Sequence, residues 1–302
     1  MNRFLRDGIM AGTCLISLSA AGSSLQQDSL GIPEPPLTWK EHWFEHAQLM
    51  HRTFYNQSIA VYYDPETADA ITWPNSMLTQ VWDYTQKIYG VFGDGRLYVL
   101  LHTDKYAGGH PATYFDQSHD NRNVIDVGHI GDWESSTGWN LDASVHEIGH
   151  IVEGAARGVH RSPAFPLWHD SKWMEIYQYD VYHSLGWEAE ANRWLQMQLQ
   201  QTDDFPRAGT QWFKNWFYPI YTKYGEAKVL GNFFTVLAAN FPRNGNAYTR
   251  DMNWGEFIHF WSGAAGVNLK QQATLAFGWP DEWEAQFKKA QQDFPGVKYK
   301  GR

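Results

Sequence analysis

Strand signals stop near Asn140 in this chain, and from there to the end the pattern is helical. Before that point, 58–63, 96–102 and 123–130 are short apolar runs rich in β-branched and aromatic residues, which read as strands. Residues 76–89 carry a helical period, and 41–52 do so as well. Residues 103–122, rich in Gly, His, Asp and Tyr, show no period and read as a loop holding one short strand at 112–115. Beyond Asn140, the segments 141–156, 172–185, 187–201, 218–240, 254–262, 269–277 and 281–294 read as helices separated by Gly, Pro, Asn and Asp. That order predicts an α+β fold, a small mixed sheet followed by a mainly helical C-terminal half. Aromatic content supports a packed chain: 16 Trp, 16 Tyr and 17 Phe are more than a disordered segment carries.

The start of the chain reads as an export signal. Arg3 and Arg6 precede an apolar run from Ile9 to Leu18, and Ser19, Ala20 and Ala21 form a small-residue cleavage region. The apolar run is shorter than the roughly 20 residues of a membrane-spanning helix, and Ala11-Gly12-Thr13 is a poor lipoprotein context for Cys14. The expected organisation is a signal peptide at 1–21, a linker at 22–37, an α+β region at 38–185 and a helical region at 186–302. The expected location is secreted or periplasmic, with no membrane attachment after cleavage. Cys14 is the only cysteine, so the mature chain has no thiol for a disulfide or a thiolate metal site. Losing two Arg and one Asp with the signal moves the net charge from −9 to −10. An acidic chain without a basic cluster gives nucleic acid no electrostatic footing.

The strand-to-helix junction carries the chemistry. The segment LDASVHEIGHIVEGAA contains His146-Glu147-Ile148-Gly149-His150. On a helix the two His stand about 40° apart around the axis and one turn apart along it, so both imidazoles reach one metal ion. Zinc suits this pair. Glu147 lies beside the metal rather than on it, as a general base for a metal-activated water must. Val145, Ile148, Val152 and Ala155 form a separate apolar face, and Asn140 or Asp142 is placed to cap the helix start.

A catalytic zinc takes three protein ligands and leaves the fourth position open. Position 156 is Ala, which removes the arrangement with a third His six residues after the second. Glu153 lies a further ~4.5 Å along the axis from His150, a poor place for a ligand and a better one for a supporting contact. A second helix at 172–185 returns after Gly158, Pro163 and Pro166. Its Glu175 faces away from the apolar stripe of Met174, Tyr177, Val181 and Leu185, and is the expected third ligand. His160, His169 and Asp170, on or beside the connector, are its rivals.

With these residues the chain resembles the gluzincin zinc metallopeptidases, more closely the peptidase-MA-like group and plant basic-secretory-protein-like peptidases. The segment from Trp173-Met174-Glu175 to Asp180-Val181-Tyr182 looks like their glutamate-bearing second helix, and ATLAFGWPDEWEAQFKKA looks like their tail. The resemblance implies a zincin-like catalytic domain, a bound Zn2+ and a peptide or protein substrate. One position departs: the Asp expected four residues after the glutamate ligand is Tyr179, and Asp180 follows one residue later.

The expected activity is that of a secreted zinc peptidase with Glu147 as general base. Tyr179, Tyr182 and His183 are candidates to stabilise the oxyanion, with Tyr221 and Tyr224 further along. The resemblance further implies that strand 123–130 or the segment 112–115 forms an edge along which an extended peptide pairs. Two other readings stand beside it: an exported glycan- or protein-binding module whose metal is incidental or structural, and a zinc hydrolase of non-peptide amides or esters.

Overall fold

The computed structural model describes residues 33–41, 48–93 and 95–302. The expected signal peptide and most of the expected linker lie outside the described residues. Residues Pro36–Arg302 form one compact unit.

Three apolar runs make the centre of the sheet. Strands β1 (Thr38–Lys40), β2 (Leu49–Tyr55) and β3 (Ile59–Tyr63) are antiparallel neighbours. Helix α1 (Trp73–Tyr89) then crosses to β4 (Leu97–Thr103), which pairs parallel to β3. Strand β5 (Gly108–Ala112) follows, and β6 (Asn123–His129) inserts between β4 and β5, giving the order β1-β2-β3-β4-β6-β5. Strands β3, β4 and β6 are buried on both faces, which is why they read as continuous apolar runs rather than alternating ones. Their odd-numbered residues Ile59, Val61, Val99, Leu101, Ile125 and Val127 join the main core. Their even-numbered residues Ala60, Tyr62, Tyr98, Leu100 and Val124 pack with Trp39 and Met50 on the other face.

Helix α2 (Trp139–Ala155) is followed by the single turn α3 (Phe165–Trp168), then α4 (Lys172–Ser184) and α5 (Glu188–Gln198). The remaining helices are α6 (Tyr218–Tyr224), α7 (Ala227–Asn240), α8 (Trp254–Ala265), α9 (Lys270–Phe277) and α10 (Asp281–Asp293), with a small hairpin of β7 (Arg243–Asn244) and β8 (Ala247–Tyr248). The architecture is the expected α+β one with a helical C-terminal half. The aromatic excess is spent inside it: the twelve largest fully buried side chains are all Trp or Tyr.

Four local expectations change. The helical pattern at 41–52 gives way to β2, because Met50 seals the second face of the sheet and 51–55 pair with β3; residues 42–47 lie outside the described residues. The strand expected at 112–115 lies instead at Gly108–Ala112, and its poor intrinsic propensity is overridden by pairing with β6. The helix expected over 218–240 is broken at Gly225, which has φ 104°. Neither Asn140 nor Asp142 caps α2, since the Asn140 amide bonds the carbonyls of Asp132 and Ser135 and Asp142 accepts from Tyr182 and Arg193.

Candidate metal centre

Helix α2 places its apolar face, Val145, Ile148, Val152 and Ala155, in the core, which turns His146 and His150 the other way. It approaches α4 closely at Gly149, where an added Cβ would stand 2.9 Å from the Tyr177 ring and 3.2 Å from Met174. This approach brings the start of α4 and the turn before it beside the two His.

The imidazoles converge. His146 Nε2 and His150 Nε2 are 3.2 Å apart. Two nitrogens bound at 2.0–2.1 Å to one tetrahedral zinc lie about 3.3 Å apart. Asp170 Oδ1 stands 3.5 Å from the same His150 nitrogen. Among the described residues, His146, His150 and Asp170 form the group of potential ligands whose donor atoms all lie within 4.8 Å of one another. Asp170 gets there because His169 takes a left-handed turn, φ 53°, between α3 and α4. Its side chain is exposed, so the group opens to solvent.

Burial and the neighbouring His150 lower the pKa of His146 to about 4, which keeps its ring neutral and able to ligate through the mildly acidic range. Burial acts on His150 in the same direction, but the Glu153 carboxylate and nearby charges outweigh it and raise its pKa. Glu147 is buried, and burial raises its pKa to about 7. Its Oε2 has no hydrogen-bond partner in the structure. A two-nitrogen, one-oxygen donor set of this spacing, with a carboxylate beside it, fits a zinc ion.

Two cavities flank the pair. One of about 620 Å³ is lined by His146, Glu147 and Asp170 together with Gly108, Gly109, Trp139, Trp194 and Met197. The other, about 330 Å³, has His150, Glu153, Pro111, Arg161 and Phe165. Strand β5 is the edge of the sheet and runs past both, with Gly108 and Gly109 on the first and Pro111 on the second.

Glu175 is not brought to the histidines. Its carboxylate is held by Lys172 Nζ, which also pairs with Asp203 at 2.8 Å, and its backbone carbonyl accepts from Trp194 Nε1. Burial raises its pKa to about 7, with Lys172 acting against the rise. A lysine three residues earlier on the same helix has captured the carboxylate expected on the metal. His160 and His169 are also elsewhere, packed on the rings of Phe115 and Phe205. Of Glu175 and its three rivals, Asp170 alone joins the two histidines in the group of convergent donor atoms.

The oxyanion candidates do not line either cavity. Tyr179 packs among Phe213, Tyr218 and Tyr221, His183 stacks on Tyr179, and the Tyr182 hydroxyl donates to Asp142 at 2.8 Å. Tyr221 donates to Asp180, which also accepts from Tyr84 and Tyr89, so Asp180 belongs to a buried tyrosine cluster. Tyr224 is partly buried against the main core. Gln178, absent from the sequence expectations, lines the same cavity as His146. It sits three residues after Glu175 on α4, and nothing in its local pattern marks it. Gly108-Gly109 did carry a signal, since paired glycines in a strand mark a close approach of backbone to another group.

No protein-family model and no curated protein matches the chain. Solved structures similar to it include an M1 zinc metallopeptidase mutant from Deinococcus radiodurans, at 13% identity and a TM-score of 0.48, covering 77% of this chain and 50% of that one. Another is a functionally unknown conserved protein from Bacillus anthracis, at 11% identity and a TM-score of 0.49, covering 84% of this chain and 53% of that one. The chain spans about half the length of either structure.

Proposed function

We propose that this chain is an exported zinc-dependent peptidase, with zinc held by His146, His150 and Asp170 and with Glu147 as general base. The observation that carries the proposal is the convergence, in an open cleft, of the two Nε2 atoms, 3.2 Å apart, and Asp170 Oδ1, 3.5 Å from that of His150. Three protein ligands and an accessible fourth side are the arrangement of a catalytic rather than a structural zinc. Bound there, zinc supplies Lewis acidity and a water acidified toward neutrality.

The remaining work falls to the chain. Glu147, with one oxygen unpaired, receives the proton of the attacking water and returns it to the leaving amine. Strand β5, last in the sheet order among the described residues, runs past the same cleft, where an extended polypeptide would lie alongside it. Trp139, Trp194 and Met197 give one side an apolar lining suited to a large apolar side chain. The leader at 1–21 sends the chain out of the cytoplasm. The alternative of an aromatic-surfaced binding module is disfavoured because most of the described tryptophans are buried.

The test is cleavage of an unstructured protein, read as new amino termini, lost on chelation and restored by zinc. A zinc-loaded chain that cleaves no peptide bond between pH 5 and 9 overturns the proposal.

A further inference from the structure

The two histidines are backed differently. Beside His146, in the cavity both line, stands the neutral amide of Gln178. Its Nε2 donates to the Asp142 carbonyl at 3.1 Å. Behind His150 stands a carboxylate: Glu153 Oε2 lies 3.4 Å from His150 Nδ1. The other oxygen, Oε1, accepts from Trp168 Nε1, and Trp168 is fully buried in the core.

Glu153 is only 6% exposed, and neither of these partners is a permanent cation. Arg161 lines the same cavity but pairs with Asp251. A carboxylate is not buried without compensation. Here compensation comes through the imidazole. If His150 Nδ1 donates to Glu153, its Nε2 carries a lone pair and faces His146 Nε2 and Asp170 Oδ1. A divalent cation on Nε2 then lies across the imidazole ring from the Glu153 carboxylate, which holds the ring by its other nitrogen.

We infer that Glu153 is the positioning residue of the metal centre: through His150 Nδ1 it fixes the tautomer and ring direction that present Nε2 to the ion, and Trp168 holds Glu153 in place. The inference rests on the metal centre of the proposed function, not on the peptidase activity. Helical spacing supports the division of labour. His146, His150 and Glu153 share one face of α2, yet Glu153 lies beyond the reach of an ion shared by the two His, so its role passes through His150.

The test measures zinc affinity by competition with a chromogenic chelator, using zinc alone and no substrate. Glu153→Ala should weaken zinc about 10- to 100-fold. Glu153→Gln keeps an oxygen that accepts from Nδ1 but loses the charge, and its affinity should fall between those of the parent and the Ala variant. Melting temperatures of the metal-free proteins separate this from loss of folding; if Glu153→Ala does not fold, Glu153→Gln carries the test. Zinc affinity of a folded variant within twofold of the parent overturns the inference. A parent that binds zinc but cleaves no peptide removes the peptidase reading and leaves this one to be decided by the affinities. A parent that binds no zinc removes both.

Discussion

Gly109 and Glu147 meet across the cleft so closely that a Cβ on Gly109 would stand 2.4 Å from the Glu147 side chain. Strand β5 thus fixes where the carboxylate can point. The backbone at Gly109 has no positive φ, so Ala fits the chain there and only the space forbids it. Gly109→Ala should displace Glu147 and lower kcat by about 10- to 100-fold. Zinc content should stay near that of the parent. Steady-state kinetics on a fluorogenic peptide together with metal analysis check both halves.

Replacing Glu147 by Gln should retain one zinc per chain and lower turnover by about 10²- to 10⁴-fold. The reason is positional: Glu147 lines the cavity with His146 and Asp170 but is not in the group of convergent donor atoms. Zinc loss in Glu147→Gln, or a rate equal to the parent, would contradict the role.

Asp170 and Glu175 should separate cleanly. Asp170→Ala removes an exposed side chain and should strip zinc affinity with little change in the melting temperature of the metal-free protein. Glu175→Ala leaves Lys172 with Asp203 alone and should cost on the order of 1–3 kcal/mol of stability while zinc affinity holds. Chelator competition and thermal denaturation of both variants distinguish the two effects.

The pairing of His146 with His150 on one helix face was legible in the sequence, whereas the approach of Asp170 to them was not singled out. Helix α2 was legible because its apolar and polar faces repeat at the helical period, and β3, β4 and β6 because buried strands are apolar throughout. Glu175 looked available because α4 was read in isolation; its capture depends on Lys172 and Asp203, which come together only through packing. Asp170 depends on the backbone turn at His169. Strand β5 was shifted because Gly-Gly-His-Pro is a weak strand former that adopts this form by pairing with β6.

A polar network on the second face of the sheet gives the fold a pH dependence. His102 is fully buried, with Nε2 3.3 Å from Asp126 and Nδ1 3.5 Å from Asp64 and 2.9 Å from Gln48. Tyr106 donates to the same Asp126. Burial alone would lower the His102 pKa, but the hydrogen bonds and charges of Asp126 and Asp64 outweigh it and raise it to about 9. The folded pKa lies above the unfolded value of about 6.5, so the folded state holds the proton more tightly. The contribution, on the order of 3 kcal/mol, is full below about pH 6.5 and is lost as the pH climbs through about 9. Melting temperature should therefore fall between pH 7 and 10, and fall less steeply in His102→Gln. Parallel pH profiles for the two proteins would exclude His102 as the source.

The central claim is a zinc centre built from three side chains with its fourth side open, and X-ray absorption at the zinc edge of the one-zinc protein tests it most directly. The account predicts two imidazole nitrogens and a carboxylate oxygen, all at about 2.0–2.2 Å, plus one light atom from solvent. The carboxylate contribution should disappear in Asp170→Ala and persist in Glu175→Ala. A shell without two imidazoles, or one closed by four protein ligands, would contradict it.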